Sequence, residues 1–323
     1  MKIAMLINQG NYEKYASWND SGWELIHMGN GEPDVKAVTE TQADVLIADA
    51  ITKIGPDIID NMPNLKLIHS QGVAFNGIDL SASKKAGIYV CNNAGMNAAP
   101  VAEQAVLLIL ALLKGFRANE DMVYAGRQIE AKNACFENGF PELLGHSVGI
   151  VGLGAIGREL AARLRAFGCE LYYYDALGEK PDSGLKFLPL NELYASCDII
   201  SLHAPVTPDT TNMINRESLK LFKRGAILIN TARGELMNHD DIVDALISGQ
   251  LGGLGTDTLA PEPVLPDNPV LSRLPAELRH RVALSPHLAG ITSGSFIRAY
   301  AHIRQNIEAV AAGKKPDCVV NGL

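Results

Sequence analysis

Apolar residues cluster along this chain in short bursts separated by polar, often helix-patterned stretches. The runs KIAMLI, ADVLIA, LKLIHS and IYVCN are rich in β-branched residues and predict strands. Helical patterns such as GPDIIDNM and IDLSASKKAG lie between some of them, so the first part reads as a small α/β unit. A long helical stretch begins near Asn97 and runs through VAEQAVLLILALLKGF. A second series of strands follows: SVGIVG, CELYYYD, DIISLH, AILINT, LGGLGTD and RVALSPH. Helical segments separate most of these, including IGRELAARLRAFG and HDDIVDALISGQ. Parallel strands need such crossovers, so the second unit is also predicted to be a parallel sheet. The segment SGSFIRAYAHIRQNIEAVAAG predicts a closing amphipathic helix.

Composition narrows the class. At 323 residues the chain exceeds the usual size of one core, which predicts two domains. It is 47% hydrophobic and 20% charged, as ordinary globular proteins are. A net charge of −8 argues against a nucleic-acid or anionic-membrane surface. The apolar run at the start is too short for a signal peptide, and VLLILALL at 106–113 is too short for a membrane span. It reads as a buried helix. The five cysteines form no CxxC pair, which fits a reducing, cytoplasmic setting. The histidines show no HExxH spacing and do not cluster with cysteine, so no metal site is expected.

The stretch GIVGLGAIGREL carries the first chemistry. Gly152, Gly154 and Gly157 form G-x-G-x-x-G between a strand and a helix. The first glycine permits a tight turn. The second lets a pyrophosphate reach the backbone, and the third lets helix and strand pack closely. The helix N-terminus offers free N–H groups to the phosphates. Asp175 ends the next strand, 23 residues after Gly152. A carboxylate there accepts hydrogen bonds from both ribose hydroxyls and repels a 2′-phosphate, so NAD is expected rather than NADP.

A dinucleotide site names no substrate. Arg233 stands just beyond AILINT, Asp257 and Glu262 follow the next strand, and His287 follows the last. Strand C-termini of a parallel sheet open on the ligand side, so these residues can converge. Arginine offers a planar fork to a carboxylate and a carbonyl oxygen. Histidine moves a proton near neutral pH, and a glutamate can orient it and stabilise its charged form. Taken singly, each has a bland explanation: an exposed loop arginine, a structural histidine, a solvated charge between prolines. His203 in SLHAP has no proton role and reads as structural.

The chain resembles the D-isomer-specific 2-hydroxyacid dehydrogenases, which include D-lactate, glycerate and phosphoglycerate dehydrogenases and glyoxylate/hydroxypyruvate reductases. The resemblance spans nearly the whole chain and rests on GIVGLGAIG, LHAPVTPDTTNMI, LINTARGELMN, GTDTLAPEP and SPHLAG. It implies two Rossmann-like α/β domains with parallel sheets. A flavodoxin-like substrate domain would comprise 1–97 and 289–323, and an NAD-binding domain 98–288. It implies Arg233, Glu262 and His287 as the catalytic set. Cofactor contacts would come from Ala155, Ile156, Asp175, Thr231, Ala232, Arg233, Asp257 and His287, beside the three glycines. The loop QGVAFNGID resembles the one whose backbone holds the substrate carboxylate, which implies the N–H groups of Val73 and Ala74. The family commonly has glycine where this chain has Ala74, and aspartate where it has Asn76. Phe75 reads as a core residue. A homodimer is implied, with much of its interface on the helical segment from Asn97 to about Arg127.

The implied reaction is hydride transfer between NAD(H) and a small 2-oxo or 2-hydroxy acid, D-stereospecific, with His287 supplying the proton and Arg233 stabilising the alkoxide. The substrate would enter between the domains, whose closure excludes water. The chain lacks the regulatory extension of longer phosphoglycerate dehydrogenases, which favours glyoxylate, hydroxypyruvate or pyruvate. Two alternatives stay open. One is an NAD(H)-binding regulator of the same fold, and the other a related formate or phosphite dehydrogenase.

Overall fold

The structure is a computed structural model and describes every residue except 17, 19 and 140. The chain forms two compact units, one of residues 1–97 with 291–323 and one of 98–290. In unit one, strands β1 (Lys2–Leu6), β2 (Glu24–His27), β3 (Val45–Ala48), β4 (Leu67–Ser70) and β5 (Tyr89–Cys91) make a parallel sheet in the order 2-1-3-4-5. That is the flavodoxin-like order. The period of two along each strand splits its side chains between two cores. Ala4, Leu6, Leu46, Ile68 and Val90 join one, with Ile54 and Ile58. Ile3, Met5, Val45, Ile47 and Leu67 join the other. The second core is closed by Tyr300, Ile303, Ile307 and Val310 of the helix Ser293–Ala311. This is why the chain's last segment belongs with its first.

Unit two holds β6 (Ser147–Val151), β7 (Glu170–Tyr174), β8 (Lys186–Phe187), β9 (Ile199–Leu202), β10 (Ala226–Asn230), β11 (Leu251–Thr256) and β12 (Val282–Leu284). Its sheet is parallel in the order 12-11-10-9-6-7-8. Counted from β6, this is the 3-2-1-4-5-6 order of dinucleotide-binding sheets with one further strand. Helices Ala98–Leu113 and Ala155–Ala166 cover one face through Ala105, Leu108, Ile109, Leu160 and Leu164. Helix His239–Ser248 covers the other through Ile242, Val243 and Leu246. The glycines of LGGLGTD have a packing cause. A Cβ on Gly255 would lie 2.9 Å from Leu108 Cβ, so that helix rests directly on β11.

The long helical stretch expected from Asn97 to about Arg127 is not continuous. It forms Ala98–Leu113 and Phe116–Tyr124, bent by 62°. Gly115 between them has φ of 52°, a left-handed value that an α-helix does not continue through. Within VLLILALL, Leu108, Ile109 and Leu113 are buried as expected, but Leu107 is 57% exposed.

Asp198, just before β9, clasps unit two. Its carboxylate accepts from the Ser147 N–H at 2.9 Å and Oγ at 2.6 Å, and from Lys223 Nζ at 2.9 Å. Burial pushes its pKa up, but Ser147 and Lys223 outweigh burial and hold it at about 2. A carboxyl with a depressed folded pKa stabilises the fold above its ordinary value, and that contribution fades as pH falls toward the folded value. Asp198→Asn is therefore expected to cost about 1 kcal/mol at neutral pH, kept low by solvent screening. Urea melts should show the gap to wild type shrinking below the ordinary carboxyl value of 3.8. A gap that does not change with pH would show that the charge is not what binds there.

Candidate active site

The glycine loop after β6 is shaped by three different demands. Gly152 has φ of 98°, and a Cβ there would sit 2.6 Å from the His203 carbonyl oxygen. A Cβ on Gly157 would sit 2.3 Å from the Gly152 oxygen, so helix and loop touch backbone to backbone. Gly154 is the opposite case. It caps the helix Ala155–Ala166 with no side-chain hydrogen bond, and a Cβ there would meet nothing within 4 Å. The first-turn N–H groups, which have no partner inside a helix, belong to Ala155, Ile156 and Gly157. An open backbone surface at a helix N-terminus suits a pyrophosphate.

Asp175 follows β7 directly and is buried. It accepts from the Leu153 N–H at 2.9 Å and the Leu177 N–H at 3.0 Å, and makes a short ion pair with Lys180. Burial works to raise its pKa, yet Lys180 and the two N–H groups outweigh it and hold the carboxyl below its ordinary value. Lys180 Nζ also donates to the Leu153 carbonyl at 3.0 Å, tying Asp175 to the glycine loop. His203 is bound through Nε2 to Ser201 Oγ at 2.8 Å, and burial pushes its pKa down to about 4.

The loops after β10, β11 and β12 are laced together. The Asp257 N–H donates to Asn230 O at 2.9 Å, and the His287 N–H donates to Asp257 O at 2.7 Å. Asn230, buried at the end of β10, receives the Ala232 N–H and donates to Arg233 O at 2.8 Å. A Cβ on Gly234 would lie 2.3 Å from the Ala260 nitrogen, so the arginine loop rests on the segment leading to Glu262. Arg233 Nη1 donates to Ala232 O at 2.7 Å, which leaves most of its five donors for other acceptors. Thr231 is buried, and its Oγ1 has no partner among the described residues.

His287 and Glu262 meet directly. The His287 Nδ1 lies 2.8 and 2.9 Å from the two carboxylate oxygens. A carboxylate accepts, so Nδ1 carries the proton and Nε2 is left for other work. The backbone of His287 is unusual, with φ of 54°. Asp257 holds it there. One carboxylate oxygen accepts from Ser285 Oγ in a short bond and from the Leu288 N–H at 3.1 Å, and the other accepts from the Ala289 N–H at 2.9 Å. The Asp257 carboxylate thus organises the histidine loop.

In unit one, Val73 and Ala74 lie on the loop after β4, with Val73 exposed. Phe75 is partly buried against the core, in line with its reading as a core residue.

Residues 106–289 match the family model described as "D-isomer specific 2-hydroxyacid dehydrogenase, NAD binding domain". The chain belongs to the D-isomer-specific 2-hydroxyacid dehydrogenases. A glyoxylate reductase of Thermofilum pendens is 35% identical over 282 residues, covering 86% of this chain and 81% of that one. A glyoxylate reductase of Korarchaeum cryptofilum is 30% identical over 327 residues, covering 99% and 96%. The solved D-2-hydroxyisocaproate dehydrogenase superposes with a TM-score of 0.84 at 27% identity, over all of both chains. This dehydrogenase uses NAD, and the open face at Gly154 and the first-turn N–H groups beside it, which have no partner within their helix, fit that coenzyme.

Sequence reading of the dehydrogenase missed Asn230, Ser285 and Lys180. The signal for Asn230 was present: a polar residue closing the apolar run AILI. Nothing local marks Lys180, whose partner is chosen by the loop fold. A clean test of the coenzyme cradle is Gly154→Ala. Its φ of −80° suits any residue and its Cβ meets no protein atom. The melting temperature should hold while NADH affinity falls about tenfold or more, a loss of roughly 1.4 kcal/mol. Unchanged affinity by fluorescence titration would place the pyrophosphate elsewhere.

Proposed function

We propose that this dehydrogenase reduces a small uncharged 2-oxo acid, of the glyoxylate, hydroxypyruvate and pyruvate class, to the D-2-hydroxy acid. The observation that carries the reading is the His287–Glu262 pair, held at 2.8 Å with Nε2 unengaged among the described residues, on loops laced to that of Arg233. NADH, when bound, supplies the hydride that reaches C2. The chain does the rest. His287 Nε2 gives a proton to the 2-oxo oxygen as it becomes a hydroxyl. Glu262 fixes the ring and keeps the other proton on Nδ1. The Arg233 guanidinium stabilises the charge that develops on that oxygen and takes one oxygen of the substrate carboxylate. The N–H groups of Val73 and Ala74 take the other. Gly152, Gly154, Ala155, Ile156, Gly157, Asp175, Thr231 and Ala232 serve the coenzyme. The names of the two glyoxylate reductases support the substrate class.

The reading includes a cytoplasmic homodimer. The free cysteines support a reducing setting. Phe116, Tyr124, Ile129 and Phe136 are more than half exposed along helices Phe116–Tyr124 and Gln128–Asn138, an apolar surface suited to a second copy. Tyr124→Glu with Phe136→Glu should yield monomers by light scattering; an unaltered dimer would move the interface elsewhere.

Activity is tested with a panel of 2-oxo acids and NADH, with the product resolved by chiral chromatography. The D product is expected, and a predominantly L product sinks the proposed site. Arg233→Lys keeps the charge but loses the fork. A fall in kcat/KM of about 100-fold is expected, with NADH affinity little changed. A near-normal kcat/KM would remove Arg233 from the reaction.

A further inference from the structure

The loop after β4 is held in an unusually one-sided way. Each carbonyl from Ser70 to Ala74 has a donor within unit one. Ser70 O accepts from His69 Nδ1 at 2.8 Å, Gln71 O from Asn93 Nδ2 at 2.8 Å, and Gly72 O from the Asn93 N–H at 2.9 Å. Val73 O accepts from Asn92 Nδ2 at 2.6 Å, and Ala74 O from Ser70 Oγ at 2.6 Å. The N–H groups are treated differently. That of Gly72 reaches Ser70 Oγ at 3.3 Å, while those of Val73 and Ala74 meet no acceptor among the described residues.

The two halves of this pattern have one cause. A trans peptide is planar, and its C=O and N–H point in opposite directions. Fixing Gly72 O toward Asn93 therefore turns the Val73 N–H the other way. Fixing Val73 O toward Asn92 does the same for the Ala74 N–H. The orientation of the asparagines is itself determined, because a carbonyl only accepts. Asn92 must present Nδ2 to Val73 O, and its Oδ1 takes the Ala94 N–H at 3.3 Å. Asn93 must present Nδ2 to Gln71 O, and its Oδ1 takes His302 Nδ1 at 2.9 Å. Both asparagines are buried, 5% and 2% exposed, so water does not substitute freely for them. Beneath them burial pushes the pKa of His69 down to about 3. Its ring is neutral at ordinary pH, with Nδ1 donating to Ser70 O and Nε2 accepting from Asn306 at 2.9 Å.

We propose that Asn92 is a positioning residue for the 2-oxo acid carboxylate: through Val73 O it aims the Ala74 N–H at the substrate, as the Asn93 backbone does for the Val73 N–H through Gly72 O. This rests on the reading above that these two N–H groups bind the carboxylate. Asn92 does not touch the substrate. It fixes the peptide that does.

The test uses Asn92→Asp and Asn92→Ala, with Ala74→Pro, which deletes the N–H itself. Asn92→Asp sets a carboxylate oxygen against Val73 O, and the repulsion turns the peptide. Whichever of glyoxylate, hydroxypyruvate and pyruvate the wild type reduces best serves as substrate. Asn92→Asp is expected to raise its KM about tenfold or more, with a smaller change in kcat and NADH affinity within about twofold. Asn92→Ala should move KM the same way by less. A merely structural asparagine would lower the melting temperature and the active fraction, and so kcat, at unchanged KM; that result overturns the proposal. Ala74→Pro separates the two ideas. If it raises KM while Asn92→Asp does not, positioning by Asn92 is wrong and the carboxylate site stands. If Ala74→Pro leaves KM unaltered, the carboxylate is not bound there at all.

Discussion

His287 occupies a backbone conformation that a non-glycine residue adopts only when something else imposes it. A left-handed φ at such a residue costs on the order of 1–3 kcal/mol. Asp257 imposes it, through its own carbonyl on the His287 N–H and its carboxylate on the next two N–H groups. Ser285 adds a further bond to that carboxylate, and Gln104 donates to Ser285 Oγ at 2.9 Å. The strain is thus met by a chain of partners that starts at buried Asp257 and reaches the helix Ala98–Leu113. The imidazole, its glutamate and the arginine loop all depend on this arrangement, because Asp257 also binds Asn230 at the root of that loop.

The same logic recurs at the loop after β4 in unit one. There the backbone is held by its carbonyls so that its N–H groups are left over. In both places the central holding residues, Asp257, Asn92 and Asn93, are buried, polar and hydrogen-bonded. Buried amides and carboxylates of this kind lose much if one partner is removed, because the orphaned group keeps its desolvation cost.

Much of this was legible in the sequence, for physical reasons. Strands covered on both faces read as apolar runs, and ten of the twelve strands stand where such runs lie. The two missed, β2 and β8, lie at sheet edges. Glu24–His27 is half exposed and Lys186–Phe187 is only two residues long, so neither carries a strong pattern. The helix Gln128–Asn138 was missed because it buries only Ala131 and so lacks an apolar stripe. Arg233, Glu262 and His287 were visible because parallel strands place chemistry just past their ends. Asn92, Asn93 and Lys180 were not, since their value lies in partners far along the chain or set by loop shape.

The two-piece construction of unit one has a consequence for biogenesis. The glycine loop, Asp175 and the His287 loop all belong to residues 98–290, an uninterrupted stretch. The support of the loop after β4 does not: His302 and Asn306 come from the helix Ser293–Ala311, and Asn321 bonds the Val90 N–H at 3.3 Å and the Ile88 carbonyl at 2.8 Å. Domains fold as units while a chain is made, the earlier residues first. The helix that closes the core of the first strands is thus made after the whole of residues 98–290. A chain interrupted before the helix Ser293–Ala311 would keep residues 98–290 whole and lose the side chains that close the core of unit one.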